Sequence, residues 1–271
     1  MDSVIFKDDE LLLNYEIMGE GQPVLLIHGL ACDINLMKGC MEPVFSNVEG
    51  YKRIYIDLPG MGKSNALLEE TSTDAILEVL IKFVGDIIVD DFILIGESYG
   101  GYLSSGLLLK LKQQIKKALL ICPMVEPDHT KRLLPEKDVT VFDMDYLETL
   151  SSRERKSFCE YAVIGNRQTY HQYEKDVVSG LKLADNAFLG ELSKKYGYSF
   201  SLEEAFAAAN LQTPVLILAG KQDVCVGYED LYAFSRYLPR SSFMLIDQAG
   251  HNLQIDQADL FSLIALNWLA I

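Results

Sequence analysis

The chain reads as an α/β fold built on a mostly parallel sheet, and three observations predict it. Short apolar runs recur at Val24–Ile27, Arg53–Ile56, Phe92–Ile95, Ala118–Cys122, Val215–Leu218 and Phe243–Ile246. Runs of this length without polar alternation suit strands buried on both faces, as in a parallel sheet. Helix-like stretches separate them, so β and α alternate along the chain. Finally, the run Phe92–Ile95 feeds straight into Gly96-Glu97-Ser98-Tyr99-Gly100, a turn that ends a strand and opens a helix.

Taken in order, Ser3–Lys7 and Leu11–Met18 are expected to form a leading β-hairpin across Asp8-Asp9-Glu10. Helices are expected at Thr73–Gly85, capped by Ser72 or Thr73, and at Tyr99–Lys117, Tyr228–Tyr237 and Asp256–Ala270. Residues 124–212 break the alternation. They contain no buried-strand run, show helical patterns and carry many aromatics, among them Tyr146, Phe158, Tyr161, Tyr173, Tyr196 and Tyr198. So long a gap between strands marks an inserted element. The expected division is a core of residues 1–123 and 213–271 with a helical cap, or lid, at 124–212; the alternative is a helical layer that merely continues the core.

Composition bounds the partners. The 271 residues carry a formal net charge of −15, with 49% hydrophobic and 23% charged residues. Nucleic acid and anionic membrane would both be repelled. Met1–Glu10 is acidic and unlike a secretory signal, and no apolar stretch reaches the roughly 20 residues a bilayer span needs. The five cysteines are scattered without a C-x-x-C pair, so neither a zinc site nor a disulfide framework is suggested. The expectation is a cytoplasmic monomer or homodimer acting on a small molecule. No metal or organic cofactor is expected, since no ligand cluster and no G-x-G-x-x-G fingerprint is present.

The G-x-S-x-G pattern is weak alone and gains meaning from its strand-turn-helix setting. A serine hydroxyl needs clearance from the backbone, a base, an orienter for that base, and donors for an oxyanion. His251, in Ala249-Gly250-His251 after the last apolar run, is the candidate base. Asp223, in Gly220-Lys221-Gln222-Asp223 after the penultimate run, is the candidate orienter, with Glu126 as the competitor. Both lie beyond strand C-termini, the edge of a parallel sheet that also holds Ser98. The oxyanion donors are expected to be the amides of Tyr99, at a helix N-terminus, and Leu30, in the supporting loop His28-Gly29-Leu30. The run Asp57-Leu58-Pro59-Gly60-Met61-Gly62-Lys63-Ser64 ends like a phosphate loop but lacks the glycine five residues before Gly62, so a structural turn is expected there.

With His28-Gly29, Asp57-x-Pro59-Gly60-x-Gly62-x-Ser64, Gly96-x-Ser98-x-Gly100, Gly220-x-x-Asp223 and Gly250-His251 in order, the chain resembles the lidded, single-domain serine hydrolases of the α/β-hydrolase fold superfamily. The resemblance implies a mostly parallel eight-stranded sheet flanked by helices, its second strand antiparallel, with a helical cap inserted after the sixth strand. It also implies a Ser98–His251–Asp223 triad, with Leu30 and Tyr99 as amide donors. Ser98 stands where a dehalogenase or epoxide hydrolase of this fold would need aspartate. The His-Gly-Gly-Pro-Gly loop and tryptophan of prolyl iminopeptidases are missing, as is the His-Gly-Gly-Gly loop of lipases. The expected function is carboxylesterase-like hydrolysis of a small ester with an apolar group through an acyl-enzyme. The alternatives are a small-molecule-binding or signalling module on the same scaffold, and a C–C bond hydrolase or thioesterase using the same triad. Recognition of a substrate carboxylate would need a basic side chain in the pocket, for which Lys131, Arg132, Arg153, Arg155 and Arg167 are available.

Overall fold

The computed structural model describes residues 4–68 and 71–270. Ser3, the expected start of the first strand, lies outside them. Strands β1 (Val4–Asp8) and β2 (Leu11–Met18) form the leading hairpin, with Asp9 at φ 49° in its turn. Then follow β3 (Gln22–Ile27), α1 (Ile34–Phe45), β4 (Tyr51–Ile56), α2 (Thr73–Ile87), β5 (Phe92–Glu97), α3 (Tyr99–Lys110) and β6 (Ile115–Ile121). The segment up to the next core strand holds two paired two-residue strands, β7 (Val141–Phe142) and β8 (Ile164–Gly165), and six helices. These are α4 (Met144–Leu147), α5 (Ser152–Tyr161), α6 (Arg167–Tyr173), α7 (Ser179–Leu183), α8 (Asn186–Leu192) and α9 (Leu202–Ala209). The chain closes with β9 (Val215–Gly220), α10 (Glu229–Ser235), β10 (Ser241–Ile246), α11 (Leu253–Asp256) and α12 (Ala258–Ala270).

One eight-stranded sheet runs in the order β1-β2-β4-β3-β5-β6-β9-β10. β2 is antiparallel to both neighbours, and β3 through β10 within this sheet are parallel. Their C-terminal ends therefore share one edge, and the chain reverses direction across the sheet between β3 and β5. β5 and β9 are buried at every position, as continuous apolar runs in a sheet covered on both faces should be.

Local signals set the helix starts. Ser72 caps α2 by accepting from Ala75 N at 3.1 Å, and Asp33 caps α1 by accepting from Asn35 N at 2.9 Å. Three expectations need correction. The helix expected over Tyr99–Lys117 stops at Lys110, because Gln114 N and Ile115 N both turn back to Leu111 O and Ile115 pairs with Phe92 of β5. Cys122, expected in the sixth strand, lies just past it at φ 40°. Phe243–Ile246, expected to be buried on both faces, is the sheet's edge: its one neighbour is β9, and Met244 and Leu245 are each 41% exposed. The run is apolar, but its place in the strand order leaves one side uncovered.

The segment between β6 and β9 is anchored by ring stacking on α3, with Tyr196 at 5.0 Å from Tyr99 and Tyr198 at 4.5 Å from Tyr102. Thr73 Oγ1 adds a bond to Tyr196 O at 2.7 Å. Among the described residues no helix is long and apolar enough to cross a membrane.

Candidate active site

Ser98 follows the last residue of β5 and precedes the first of α3, at φ 51° and ψ −116°. A non-glycine residue there is strained, and surrounding bonds hold it. Its N–H donates to Ile121 O at 3.0 Å, and its carbonyl accepts from Tyr102 N and Met124 N at 3.0 and 2.9 Å. The flanking glycines are required sterically. A Cβ on Gly96 would lie 2.3 Å from Ser104 Oγ, and one on Gly100 would lie 2.3 Å from Ile27 O. The strand and helix therefore cross close enough to push the serine side chain out of the turn.

His251 comes from the loop after β10 and Asp223 from the loop after β9. His251 Nε2 lies 2.9 Å from Ser98 Oγ, and its Nδ1 lies 2.9 Å from Asp223 Oδ2. The other carboxylate oxygen of Asp223 accepts from Cys225 N at 2.8 Å and Val226 N at 3.1 Å, which sets the carboxylate's orientation. Burial, the largest single influence, lowers the His251 pKa; the Asp223 and Cys225 side chains, through charge and hydrogen bonding together, outweigh it and raise the imidazole well above its ordinary value. Glu126, the competing orienter, is directed elsewhere: its Oε1 accepts from Asp128 N at 2.7 Å.

The loop after β3 carries the remaining expected residues. His28 is fully buried; its Nδ1 lies 2.7 Å from Gly29 O and its Nε2 accepts from Leu58 N at 3.0 Å. Those partners require the tautomer with the proton on Nδ1, and burial lowers its pKa, so His28 is a neutral brace for the loop. Ala31, at φ 60°, completes the tight turn. Among the described residues neither Leu30 N nor Tyr99 N has a hydrogen-bond acceptor. The run from Asp57 to Ser64 is a structural turn: the Asp57 carboxylate accepts from Asn14 Nδ2, Ile34 N and Lys63 N at 2.7, 2.8 and 2.9 Å.

A cavity of about 410 Å³ opens over Ser98. Its floor includes Gly29, Leu30, Ser98 and His251, and its walls include Tyr161, Tyr173, Val177 and Tyr196 from the segment between β6 and β9. Other aromatics between β6 and β9 pack away from the cavity: Phe158 lies against Tyr170 and Tyr173 at 5.3 Å each, Tyr198 against Tyr102 of α3 at 4.5 Å and Phe206 against Phe234 of α10 at 5.1 Å. Of the five basic candidates, Arg132 alone is among the lining residues. Its guanidinium donates to Glu126 O and Cys225 O at 2.8 Å each. His129 also lines the cavity.

The α/β-hydrolase fold family model matches residues 22–258. The chain belongs to the α/β-hydrolase family. A solved α/β-superfamily hydrolase from Oenococcus oeni shares 32% identity at a TM-score of 0.91, with 100% of this chain and 98% of that one covered. A thermophilic esterase from Thermogutta terrifontis shares 20% identity at a TM-score of 0.74, covering 100% of this chain and 98% of the other. Among curated relatives, an (E)-2-((N-methylformamido)methylene)succinate hydrolase of Acinetobacter baylyi is 21% identical over 94% of this chain and 93% of its own length.

In this hydrolase one residue at the site escaped the sequence reading. Glu97, directly before Ser98, is buried, lines the cavity, and brings Oε1 to 3.8 Å from His251 Nε2. Burial pushes its carboxyl up to about 7, while His251 and the Gly29 N–H pull it down. The available signal was a lone glutamate ending an otherwise apolar strand. Cys122, Asp223 and His251 bring ligand-type atoms within 4.8 Å of one another. Asp223 and His251 face each other there at 2.9 Å, and burial raises the Cys122 thiol well above its usual range.

Proposed function

We propose that this hydrolase cleaves small esters through an acyl-enzyme on Ser98. The single observation that carries the reading is the unbroken chain Ser98 Oγ to His251 Nε2 and His251 Nδ1 to Asp223 Oδ2, 2.9 Å at each link. His251 takes the Ser98 proton as Oγ attacks the acyl carbon, and Asp223 stabilises the imidazolium that forms. The free amides of Leu30 and Tyr99 receive the negative oxygen, donors of a kind worth about 2.7–4 kcal/mol each in the transition state. The imidazolium then returns its proton to the leaving alcohol, and water repeats the sequence on the acyl-enzyme. The mostly apolar cavity suits a small substrate with an apolar group. The free state of all five cysteines and the acidic chain support a reducing, cytoplasmic setting.

The test is turnover of a short p-nitrophenyl ester by Ser98→Ala, with folding checked by circular dichroism. Turnover should vanish while the fold stays; a variant as active as the parent ends the reading. An organophosphonate should label Ser98, read by peptide mass, and labelling elsewhere would count against an activated serine.

Arg132 favours a second reading, cleavage of a C–C bond in an acid-bearing substrate by the same triad. The succinate hydrolase named above and a 2-hydroxy-6-oxononadienedioate/2-hydroxy-6-oxononatrienedioate hydrolase from Paraburkholderia phymatum, 22% identical over 98% of this chain and 94% of its own length, act on acids by name. Assaying uncharged esters beside carboxylate-bearing esters and vinylogous diketone acids separates the two readings.

A further inference from the structure

We propose that Asp256 is a positioning residue that ties the histidine loop and the inserted segment to one carboxylate, so that His251 and the cavity wall keep a common register. Asp256 ends the short helix α11, five residues after His251, and is 6% exposed. Its Oδ2 accepts from Gly250 N at 2.9 Å, the amide directly before His251. Its Oδ1 accepts from Val163 N at 3.0 Å and Ile164 N at 2.8 Å, at the start of β8.

Three backbone donors from two separate parts of the chain therefore converge on one side chain. Among the described residues no cation lies within ion-pair distance of it. Two neighbouring contacts show how closely the parts are pressed together. A Cβ on Gly250 would lie 2.5 Å from Tyr161 O and 3.1 Å from Val163 Cγ2. Tyr161 itself lines the cavity, its ring 6.3 Å from the His251 imidazole. The 161–164 segment and the 250–251 loop thus meet without a side chain between them, and Asp256 holds both.

A general staple and a positioning residue differ in what their loss disturbs. In Asp256→Asn the amide oxygen can still accept from Val163 and Ile164, but the NH2 group then faces the Gly250 N–H, donor against donor. The insertion stays attached while the histidine loop is released. A misplacement on the order of 1 Å at a reacting group costs about 100-fold in rate.

The inference rests on the serine-hydrolase reading, and the experiment keeps the two apart. For Asp256→Asn, kcat on the p-nitrophenyl ester should fall about 100-fold with KM held within about twofold. The low-field proton resonance of the His251 Nδ1–H bond to Asp223 should shift or broaden in the same variant. Unchanged kcat, or an unmoved resonance with kcat and thermal midpoint falling together, would overturn the proposal. Amide hydrogen exchange on the wild-type hydrolase needs neither turnover nor a folded variant. The Gly250, Val163 and Ile164 amides should be protected and should open at a common rate. A Gly250 amide exchanging freely while the other two stay protected would sink the clamp, even if Ser98→Ala had already upheld the hydrolase reading.

Discussion

The strand ends of the sheet and the helical segment between β6 and β9 build opposite sides of one cavity, and they are held by different forces. Ser98, Asp223 and His251 hang from the ends of β5, β9 and β10, where backbone ladders and tight packing fix each loop. The side chain of Asp223 is 1% exposed and that of His251 13%. The wall opposite is made of short helices and one longer run from Arg167 to Leu183, where α6 and α7 join through a π-helical stretch at Glu174–Val178, tied down by ring stacking and a few side-chain bonds. Leu181 on that wall is 44% exposed. The difference teaches a division of labour. Proton transfer needs geometry accurate to fractions of an ångström, which a buried sheet supplies. Substrate choice needs only a wall of suitable shape, which short helices provide and can vary.

The largest effect that could break this division is expected at the base. His251→Ala should lower kcat by about a millionfold, as loss of a triad base does elsewhere, with little change in KM. Steady-state kinetics with active-site titration measures it, and a loss under about tenfold would mean that the sheet edge does not run the chemistry. Next, Asp223→Asn should cost about 10⁴-fold in kcat, because the amide favours the wrong imidazole tautomer. An equally active Asp223→Asn alongside an inactive Glu126→Gln would move the orienter to the loop the structure directs away.

Glu97 sharpens the comparison from the stability side. Its carboxyl is raised from 4.5 to about 7, so the folded chain keeps a proton that the unfolded chain gives up in that window. Stability contributed by this group is full below about pH 4.5 and is lost as pH rises through about 7. Glu97→Gln should therefore be more stable than the parent at pH 8, by at most about 3 kcal/mol, with the gap closing toward pH 4.5. Urea midpoints at both pH values test the sign, and a variant less stable at pH 8 would show that the carboxylate is welcomed at the site. The smallest effect is expected on the wall: Tyr161→Ala should raise KM about tenfold, or about 1.4 kcal/mol, and leave kcat nearly alone. A fall confined to kcat would instead place that tyrosine in the chemistry and blur the two regions.

Much of this was readable in one dimension. Alternation of buried-strand runs with helices, and glycines at 96 and 100 around a serine, are local patterns, because the period of hydrophobicity and the space a missing Cβ leaves are local properties. So was the order of serine, acid and histidine along strand ends. Other features were misread where a tertiary contact outweighed local preference. The segment after Lys110 has helix-forming residues, yet pairing with Phe92 draws Ile115 into the sheet. Phe243–Ile246 has the composition of a buried strand, and only the strand order left it at the edge.

The amino-acid sequence by itself determined the fold class and the residue types available at the sheet edge, since both follow from short-range pattern and from chemistry each side chain carries alone. Only the tertiary structure decided distances: that an imidazole 153 residues along the chain from Ser98 comes within 2.9 Å of it, that the glutamate before Ser98 is buried with its carboxyl raised to about 7, and that Asp256 receives bonds from two segments far apart in sequence. Those facts arise when non-local packing excludes water and fixes one arrangement, and no window of neighbouring residues contains that information.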